Sequence, residues 1–317
     1  MGESLKWKSK LVSSSLPLEF EVAKILASRK FSISADFTYA RNDAGILKDF
    51  SVDLHAIAYP PFSEPDYKRI ATLELLVECK QRQPNIRWLF FPNPNRSSRH
   101  ALYAEDKFSQ LFFPNNVAAY FDQRLWFCYK GIEIDESKGN VYDTELKHGI
   151  SQLQYALPRL YTERVYSNAQ YDFSPFLFCS ILLTTANLFV ANNNLITSDI
   201  ETAAVLKDIA HQVPYLIFTS DYGPDFEEHC RKECASLAEL PKMKFIKALD
   251  NYRRKKNSFD NQLPSVVATS IAAGEKLQLQ ARFTHFVVCT MKEFPSLITH
   301  IKRSTTMALR TMKSLSR

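Results

Sequence analysis

The segment ATLELLVECK, residues 71–80, constrains the fold most strongly, because its apolar residues suit a strand in the interior of a sheet. Side chains two residues apart in a strand point to the same face. Glu78 and Lys80 are therefore predicted to lie side by side, where the flanking residues predict apolar packing. An acid and a base at the end of the most hydrophobic strand require a structural or a chemical reason.

The composition is that of a globular protein. The chain of 317 residues is 45% hydrophobic and 23% charged, which allows a substantial core and argues against global disorder. A net charge of +6 permits a nucleic-acid partner without requiring one. Six scattered cysteines suit reduced core thiols, and the N-terminus lacks the apolar region of a secretory signal. Together these features predict a cytoplasmic protein.

Several enzyme classes are disfavoured by missing motifs. None of the seven glycines belongs to a GxGxxG or GxxxxGK pattern, which argues against a Rossmann dinucleotide site and against a P-loop. The sequence also lacks the GxSxG pattern of α/β-hydrolases and the HExxH pattern of zinc proteases.

The uncharged stretch 173–197 could be mistaken for a membrane span. Pro175, the polar residues 184–187 and three consecutive Asn residues interrupt it. Two apolar runs around a polar break favour two strands joined by a turn over a helix of about 20 apolar residues. No association with a membrane is therefore expected.

The hydrophobic periodicity predicts an α/β protein with a mixed sheet. An amphipathic helix is predicted from Pro17 to about Arg29, and a second helix, kinked near Pro158, over residues 144–163. The Pro- and Asn-rich stretch 82–100 is predicted to be an ordered loop or an insertion. Strands are predicted at residues 31–41, 48–59, 71–80, 176–184, 187–192, 213–220 and 283–291.

Strand 48–59 brings a second carboxylate toward the acid–base pair. Its alternation is predicted to place Asp53 on one face, together with Ser51 and His55. The other face is predicted to carry the apolar side chains of the strand, which are Phe50, Val52, Leu54 and Ala56. If this strand is an antiparallel neighbour of the strand that holds Glu78, Asp53 and Glu78 converge.

Two converging carboxylates repel each other unless a cation lies between them. A ligand set made only of oxygen atoms favours Mg²⁺, with Mn²⁺ as a substitute. A lysine beside the metal positions a water molecule or stabilises the charge that develops on a phosphate. Asp53, Glu78 and Lys80 together therefore predict phosphodiester hydrolysis.

A structural alternative is an exposed salt bridge between Glu78 and Lys80 on an edge strand. That alternative leaves two acids without a role: Asp53, and Glu19 on the preceding helix. Helix geometry predicts that Glu19 faces inward, whereas Glu21 faces water.

The arrangement resembles a known family. Asp53 and the run 78–80 at the end of an apolar strand, preceded by a helix that carries Glu19, resemble the PD-(D/E)XK nuclease superfamily and its restriction-endonuclease-like fold. The predicted order of helix, three strands, helix and strand pair is similar to the core of that fold. The segment LEFEVAKILASRKFSI, residues 18–33, looks like the first-helix segment of Mrr-like members.

The resemblance implies a role for each of these residues. Asp53 and Glu78 would be metal ligands, with the backbone carbonyl of Cys79 as a third ligand. Lys80 would be the catalytic lysine, and Glu19 an accessory acid near the metal.

The resemblance also implies an organisation for the chain. The helix that contains Gln152 would pack behind the site, and Val52 stands where the superfamily has its namesake proline. One elaborated nuclease domain is predicted over residues 1–317, with a catalytic core at 15–195, an insertion around 84–140 and a basic helical C-terminal extension at 200–317.

Basic residues gather toward the C-terminus. Residues 241–256 hold seven Lys and Arg residues against one acid, Asp250. Clustered positive charge suits contacts with nucleic-acid phosphates, although a solvated helix face is the alternative. The predicted phosphate contacts are Arg253, Arg254, Lys255 and Lys256.

The sequence therefore predicts a Mg²⁺-dependent endonuclease that hydrolyses nucleic acid, with DNA favoured over RNA as the expected substrate. The resemblance implies a product with a 5′-phosphate and a homodimeric enzyme, and a part in defence against foreign DNA or in repair is an analogy. The alternative from another class is a catalytically idle protein of the same fold that binds nucleic acid or a protein partner.

Overall fold

One mixed sheet forms the centre of the computed structural model, which describes residues 3–60, 62, 71–94, 125–171, 176–255 and 264–315. Within these residues the sheet has eleven strands: β1 (Ser32–Asp43), β2 (Ile46–Ala58), β3 (Thr72–Lys80), β4 (Ile86–Pro92), β5 (Phe127–Asp135), β6 (Asn140–Tyr142), β7 (Phe176–Thr184), β8 (Asn187–Ala191), β9 (Ala210–Val213), β10 (Tyr215–Thr219) and β11 (His285–Thr290). The helices are α1 (Glu3–Ser13), α2 (Leu16–Ser28), α3 (Thr144–Tyr171), α4 (Thr197–Thr202), α5 (Leu206–Ile209), α6 (Pro224–Glu233), α7 (Lys244–Lys255), α8 (Pro264–Ala272), α9 (Lys276–Phe283) and α10 (Phe294–Leu315), with 3₁₀ helices at Ala235–Lys242 and Met291–Glu293.

The strands lie in the order β1-β2-β3-β7-β11-β10-β5-β4-β8-β9, and β6 pairs with β5. β2 is antiparallel to β1 and to β3, whereas β7 is parallel to β3 and to β11. The predicted α/β class with a mixed sheet is therefore confirmed. The predicted helices and strands are present, with shifts of a few residues at their ends, and α3 runs through Pro158 to Tyr171.

Helices cover both faces of the sheet, because its central strands are apolar on both sides. On one face, Leu76 of β3 and Leu182 of β7 pack in a cluster with α3, α6, α8 and α9. On the other face, Val77 and Ile181 pack in a cluster with α2 and α10. The end of β3 is therefore enclosed between α3 on one side and α2 on the other.

β3 and β7 form a parallel pair, and each is followed, after a short irregular segment, by the next strand of the chain. These next strands, β4 and β8, form a second parallel pair. Two threonine hydroxyls bridge the irregular segments. Thr184 Oγ1 donates to the carbonyl of Lys80 at 3.1 Å, and the N–H of Arg82 donates to Thr185 Oγ1 at 2.7 Å. These bonds hold the backbone in place directly after Lys80.

The prediction of a loop or insertion at residues 82–100 is wrong for residues 86–92, which form β4. The flanking Pro and Asn residues are turn formers, but the apolar run between them pairs with β5 and β8. The region 84–140, which was predicted to be an insertion, contains β4 and β5 of the central sheet. Its residues 95–124 lie outside the described part of the chain.

Two further expectations about the C-terminal half differ from the structure. β7 and β8 are both strands, as predicted, but they do not form a pair: β7 lies between β3 and β11, and β8 between β4 and β9. The segment 200–317 is not only a helical extension, because β10 and β11 lie in the middle of the sheet between β7 and β5. These pairings join residues far apart in sequence, which local patterns do not reveal.

The uncharged stretch 173–197 contains β7 and β8 rather than one long helix, as predicted. None of the helices in the described part of the chain combines the length and the apolar character that crossing a bilayer requires. All six cysteines are free and buried, which agrees with the expectation of reduced core thiols.

Candidate active site

The register of β2 and β3 brings the two predicted carboxylates together. The strands are antiparallel, with Leu54 opposite Val77, so the next position places Asp53 opposite Glu78. The N–H of Cys79 donates to Asp53 Oδ2 at 2.7 Å, and the N–H of Asp53 lies 3.4 Å from Glu78 Oε2. The predicted juxtaposition of Asp53 and Glu78 is therefore present.

The predicted alternation of β2 is wrong at Asp53. Phe50 and Val52 pack with the cluster that contains α3, whereas Leu54 and Ala56 pack with the cluster that contains α2. The side chains of β2 change face at Asp53, where the pairing of β1 with β2 omits the pair Asp36 and Asp53. Asp36 has a φ of 56°, in the left-handed region. A distortion of both strands therefore separates the two halves of β2 and lets the Asp53 carboxylate meet the backbone of β3.

Lys80 is held by contacts from two elements. Its Nζ lies 2.8 Å from Glu78 Oε1 and donates to Gln152 Oε1 of α3 at 3.1 Å. Gln152 in turn donates to the carbonyl of Ser51 on β2 at 3.0 Å. The expectation that the helix with Gln152 packs against the site agrees with this geometry, and the direct contact between Gln152 and Lys80 was not predicted.

A glycine allows α3 to approach the site closely. A Cβ atom on Gly149 would lie 2.6 Å from Leu182 Cδ1, 3.0 Å from Lys80 Cε and 3.6 Å from Glu78 Cγ. Real side chains do not tolerate the first of these distances without a shift of the surroundings. Gly149 therefore sets the distance between α3 and the charged end of β3.

Buried Glu133 of β5 anchors the start of α3. Its carboxylate lies 2.8 Å from Arg82 Nη2, accepts a bond of 3.0 Å from Trp88 Nε1, and accepts the N–H of Glu145 at 3.1 Å. A carboxylate at a helix N-terminus accepts hydrogen bonds from free N–H groups and interacts favourably with the helix dipole. Because Arg82 follows Lys80 by two residues, Glu133 ties the beginning of α3 to the end of β3.

Burial makes both carboxylates hard to ionise. The pKa of Glu78 is raised to about 7, chiefly by burial and then by the charge of Asp53, against the opposing effect of Lys80. Burial also raises the pKa of Asp53 to about 6, against the effect of the Cys79 N–H, and the charge of Glu19 contributes to the rise. Two buried acids share one lysine, so additional positive charge would stabilise the site.

Glu19 lies on the side of α2 that faces the site. It is partly buried beside the core residue Leu18, and its charge acts on Asp53, whereas Glu21 is exposed. Sequence reasoning did not identify two other residues near the site. The charge of exposed Asp36 also acts on Asp53, and the pKa of His148 is lowered by burial and then by the charge of Lys80.

The sequence contains a signal for His148 but not for Asp36. His148 precedes Gln152 by four residues, so helix periodicity places both on one side of α3. Asp36 has no such signal, because its position depends on the register of β1 and β2.

The alternative of an exposed salt bridge on an edge strand is wrong. Glu78 is 1% exposed, and β3 lies between β2 and β7 in the interior of the sheet. His55 of β2 lies 2.8 Å from Glu74 of β3, and Glu74 also pairs with Arg164 of α3. These three residues form a separate ionic group.

The residues that could hold a divalent cation are oxygen donors. In the part of the chain that the structure describes, no group of three or more His, Cys, Asp or Glu side chains is placed to hold a metal ion. Asp53 and Glu78 supply two carboxylates. The N–H and the C=O of one strand residue project to the same edge, so the carbonyl of Cys79 points toward Asp53 as its N–H does. This donor set fits Mg²⁺ or Mn²⁺, which accept oxygen ligands and retain waters.

The structure does not bring the predicted basic residues to this site. Arg253, Arg254 and Lys255 lie at the end of α7, where Arg254 and Lys255 are exposed, and Lys256 lies outside the described residues. α7 packs chiefly against α8 and the 3₁₀ helix at Ala235–Lys242, whereas the site is built from α2, β2, β3 and α3.

Comparison with protein-family models, with curated proteins and with solved structures found no match.

Proposed function

We propose that this protein is a metal-dependent nuclease of the restriction-endonuclease-like class, which hydrolyses phosphodiester bonds in nucleic acid, with DNA favoured over RNA as the expected substrate. One observation carries the proposal: the ammonium of Lys80 is held between Glu78 and Gln152, directly beside the facing carboxylates Asp53 and Glu78. A cation fixed next to two oxygen ligands is the arrangement that phosphate chemistry requires.

The residues suited to hold the metal are Asp53 and Glu78 through their carboxylates and Cys79 through its carbonyl. When bound, Mg²⁺ would supply the positive charge that makes a phosphodiester electrophilic at neutral pH. Mn²⁺ would replace it, since both ions accept oxygen ligands.

Lys80 would act directly on the substrate. A lysine ammonium has three N–H donors, of which Glu78 and Gln152 engage two, so one remains for the attacking water or a phosphate oxygen. Charge that builds up on the phosphate would strengthen this hydrogen bond. Glu19, whose charge already acts on Asp53, would orient water on the opposite side of the site.

A second candidate is a catalytically idle protein of the same fold that binds nucleic acid or a protein partner. One finding favours it: Lys80 already compensates the charge of Glu78, and no group of three or more metal-ligating side chains occurs among the described residues. In that case the ion pair would serve the stability of the core.

A cleavage assay separates the two candidates. Supercoiled plasmid, linear duplex DNA, single-stranded DNA and RNA should each be incubated with the protein in Mg²⁺, Mn²⁺, Ca²⁺ or EDTA. We expect cleavage in Mg²⁺ and Mn²⁺ that is absent in EDTA, and absent in Asp53→Asn purified in parallel. The variant Asp49→Asn is the matched control, because Asp49 is an exposed carboxylate on the same strand. Binding without cleavage by the wild type under every condition would support the idle candidate.

A further inference from the structure

A second concave site lies on the other flank of α3. It is a cavity of about 510 Å³ between α3, β5 and the end of β10. Among its lining residues, α3 supplies Lys147, Ile150 and Gln154. At 3.6 residues per turn these three fall on one flank of the helix, whereas His148 and Gln152, which adjoin Lys80, fall on the opposite flank. The cavity and the candidate active site therefore lie chiefly on different flanks of α3, and Ser151, which also lines the cavity, directly precedes Gln152.

The walls of this cavity present aromatic rings. Phe91 at the end of β4, Tyr129 of β5 and Phe218 of β10 line it, and Leu146 and Ile150 of α3 complete the apolar surface. Tyr129 is 42% exposed, so part of its ring is accessible at the mouth. Aromatic rings in a cavity of a few hundred Å³ suit a ligand with a planar ring, because stacking and apolar burial then act together.

Two lysines line the cavity at its exposed side, together with two aspartates, Asp143 and Asp221. Lys130 is exposed beside Tyr129, and its Nζ lies 5.7 Å from the centre of the Tyr129 ring. Lys147 is a second exposed lysine and pairs with Asp143 at 2.6 Å. Two lysines at the entrance of an aromatic cavity suit an anionic group that stays near solvent while a ring enters.

Polar groups deeper in the cavity are suited to the edge of such a ring. Gln154 is 5% exposed and donates to the carbonyl of Phe283, which fixes the orientation of its amide. Ser220 and Asp221 follow β10: Ser220 adds a partly buried hydroxyl, whereas the carboxylate of Asp221 is exposed and lies nearer to the mouth. Few polar groups on an apolar wall are typical of sites that select a ligand by its hydrogen bonds.

We propose that this cavity binds a nucleotide, with the base against the aromatic rings and the phosphate near Lys130 and Lys147. The ligand is either a free nucleotide or one nucleotide of a nucleic-acid strand, because both present the same ring and the same charge. The inference goes beyond the proposed nuclease activity and does not depend on it, since no residue of the candidate active site lines the cavity.

Calorimetric titration of the full chain in EDTA tests the proposal. The probes are AMP, GMP, CMP and UMP, together with the nucleosides, which lack the phosphate, and ribose 5-phosphate, which lacks the base. We expect at least one nucleoside monophosphate to bind, and its nucleoside and ribose 5-phosphate to bind about tenfold more weakly, because each loses one of the two kinds of contact. Binding should persist in Lys80→Ala, which separates this test from that of the nuclease activity.

Two variants and one control locate the binding. Lys130→Ala should weaken the nucleotide about tenfold and leave the nucleoside unchanged, whereas Tyr129→Ala should weaken both. Lys138→Ala is the matched control: it is an exposed lysine between β5 and β6 that does not line the cavity, so affinity should not change. Tyr129 and Lys130 are exposed, and circular dichroism should confirm that both variants fold.

An oligonucleotide with 2-aminopurine distinguishes the two sources of the ligand. If a base of a strand enters the cavity, the fluorescence of 2-aminopurine should change on binding, and the monophosphate that binds in the titration should reverse the change. Binding of the monophosphate without this effect identifies a free nucleotide as the ligand. Absence of binding for all four monophosphates would overturn the proposal. Wild-type affinity in both Tyr129→Ala and Lys130→Ala would overturn it equally.

Discussion

The backbone N–H of Cys79 donates a hydrogen bond of 2.7 Å to Oδ2 of Asp53 on the neighbouring strand. The regular register between β2 and β3 ends at Leu54 and Val77, so a side chain takes over where backbone pairing stops. Because Cys79 stands between Glu78 and Lys80, this one bond sets the distance of the Asp53 carboxylate from both charged side chains of β3.

Lys80→Ala is expected to lower cleavage by at least about 100-fold, because the variant lacks the ammonium that would stabilise charge on the phosphate. Lys207→Ala, which removes an exposed lysine of α5, should cleave at the wild-type rate. The measurement is the initial rate of cleavage on whichever substrate the wild type cuts. Full activity in Lys80→Ala would remove this residue from the mechanism.

The same substitution has a structural cost that must be separated from its effect on cleavage. The Lys80 side chain is only 11% exposed and pairs with buried Glu78, so its loss leaves that carboxylate without its ionic partner. The double variant Lys80→Ala with Glu78→Gln removes the unpaired charge. We expect it to be more stable than Lys80→Ala toward urea and equally inactive.

The raised pKa values predict a dependence of stability on pH in the metal-free protein. Burial raises the pKa of Asp53 from 3.8 to about 6 and that of Glu78 from 4.5 to about 7. Between its unfolded-state and folded-state pKa values, each carboxyl group binds more protons in the folded protein than in the unfolded chain. The contribution of these two groups to the free energy of unfolding therefore falls as the pH rises from about 4 to about 7. The contribution is on the order of 1–3 kcal/mol for each group.

Asp53→Asn isolates this effect, since it removes the titration and keeps an oxygen that accepts the Cys79 N–H. In EDTA, its unfolding free energy relative to the wild type should be higher at pH 8 than at pH 5, as measured by urea denaturation. Mg²⁺ should raise the stability of the wild type at pH 8 but not that of the variant. A difference between the two proteins that is the same at both pH values would contradict the prediction.

The sequence allowed the prediction of Asp53 opposite Glu78 because both steps are local. Alternation fixes the face of Glu78 and Lys80 within one strand, and a strand often pairs with the next one along the chain. The sheet face on which Val52 lies was not predictable in this way, because strict alternation of side chains holds only in a regular strand. The distortion at Asp36 depends on a backbone conformation that an aspartate adopts without a glycine signal.

The contacts that complete the site come from packing across the sheet. Gln152 meets Lys80 because Gly149 lets α3 approach and Glu133 anchors the start of that helix. Periodicity predicts a buried face for α3, but it does not specify which strands that face covers. The positions of β10 and β11 in the middle of the sheet are unpredictable for the same reason.

Gly149→Ala tests whether the close approach of α3 matters for function. A methyl group there meets Leu182 Cδ1 at 2.6 Å and Lys80 Cε at 3.0 Å, so α3 or Lys80 must shift. We expect a loss of about 1–3 kcal/mol in the free energy of unfolding, and a lower rate of cleavage through the displaced lysine. Gly223→Ala is the control, because a Cβ there meets nothing within 4 Å. If Gly149→Ala cleaves like the wild type, the spacing of α3 and β3 is not critical.

The basic residues at the end of α7 and beyond it are predicted to contact nucleic-acid phosphates. If Arg253, Arg254, Lys255 and Lys256 contact phosphates, neutralising all four should weaken binding and flatten the slope of log affinity against log salt. Each contact with duplex DNA contributes about 0.9 to that slope, so the loss of two to four contacts should change it by roughly 2 to 4. Sequence preference should stay the same, because phosphate contacts carry no base information. Binding should be measured in EDTA by fluorescence anisotropy. An unchanged slope would identify this run as a solvated helix face, and nucleic acid would then bind to other surfaces.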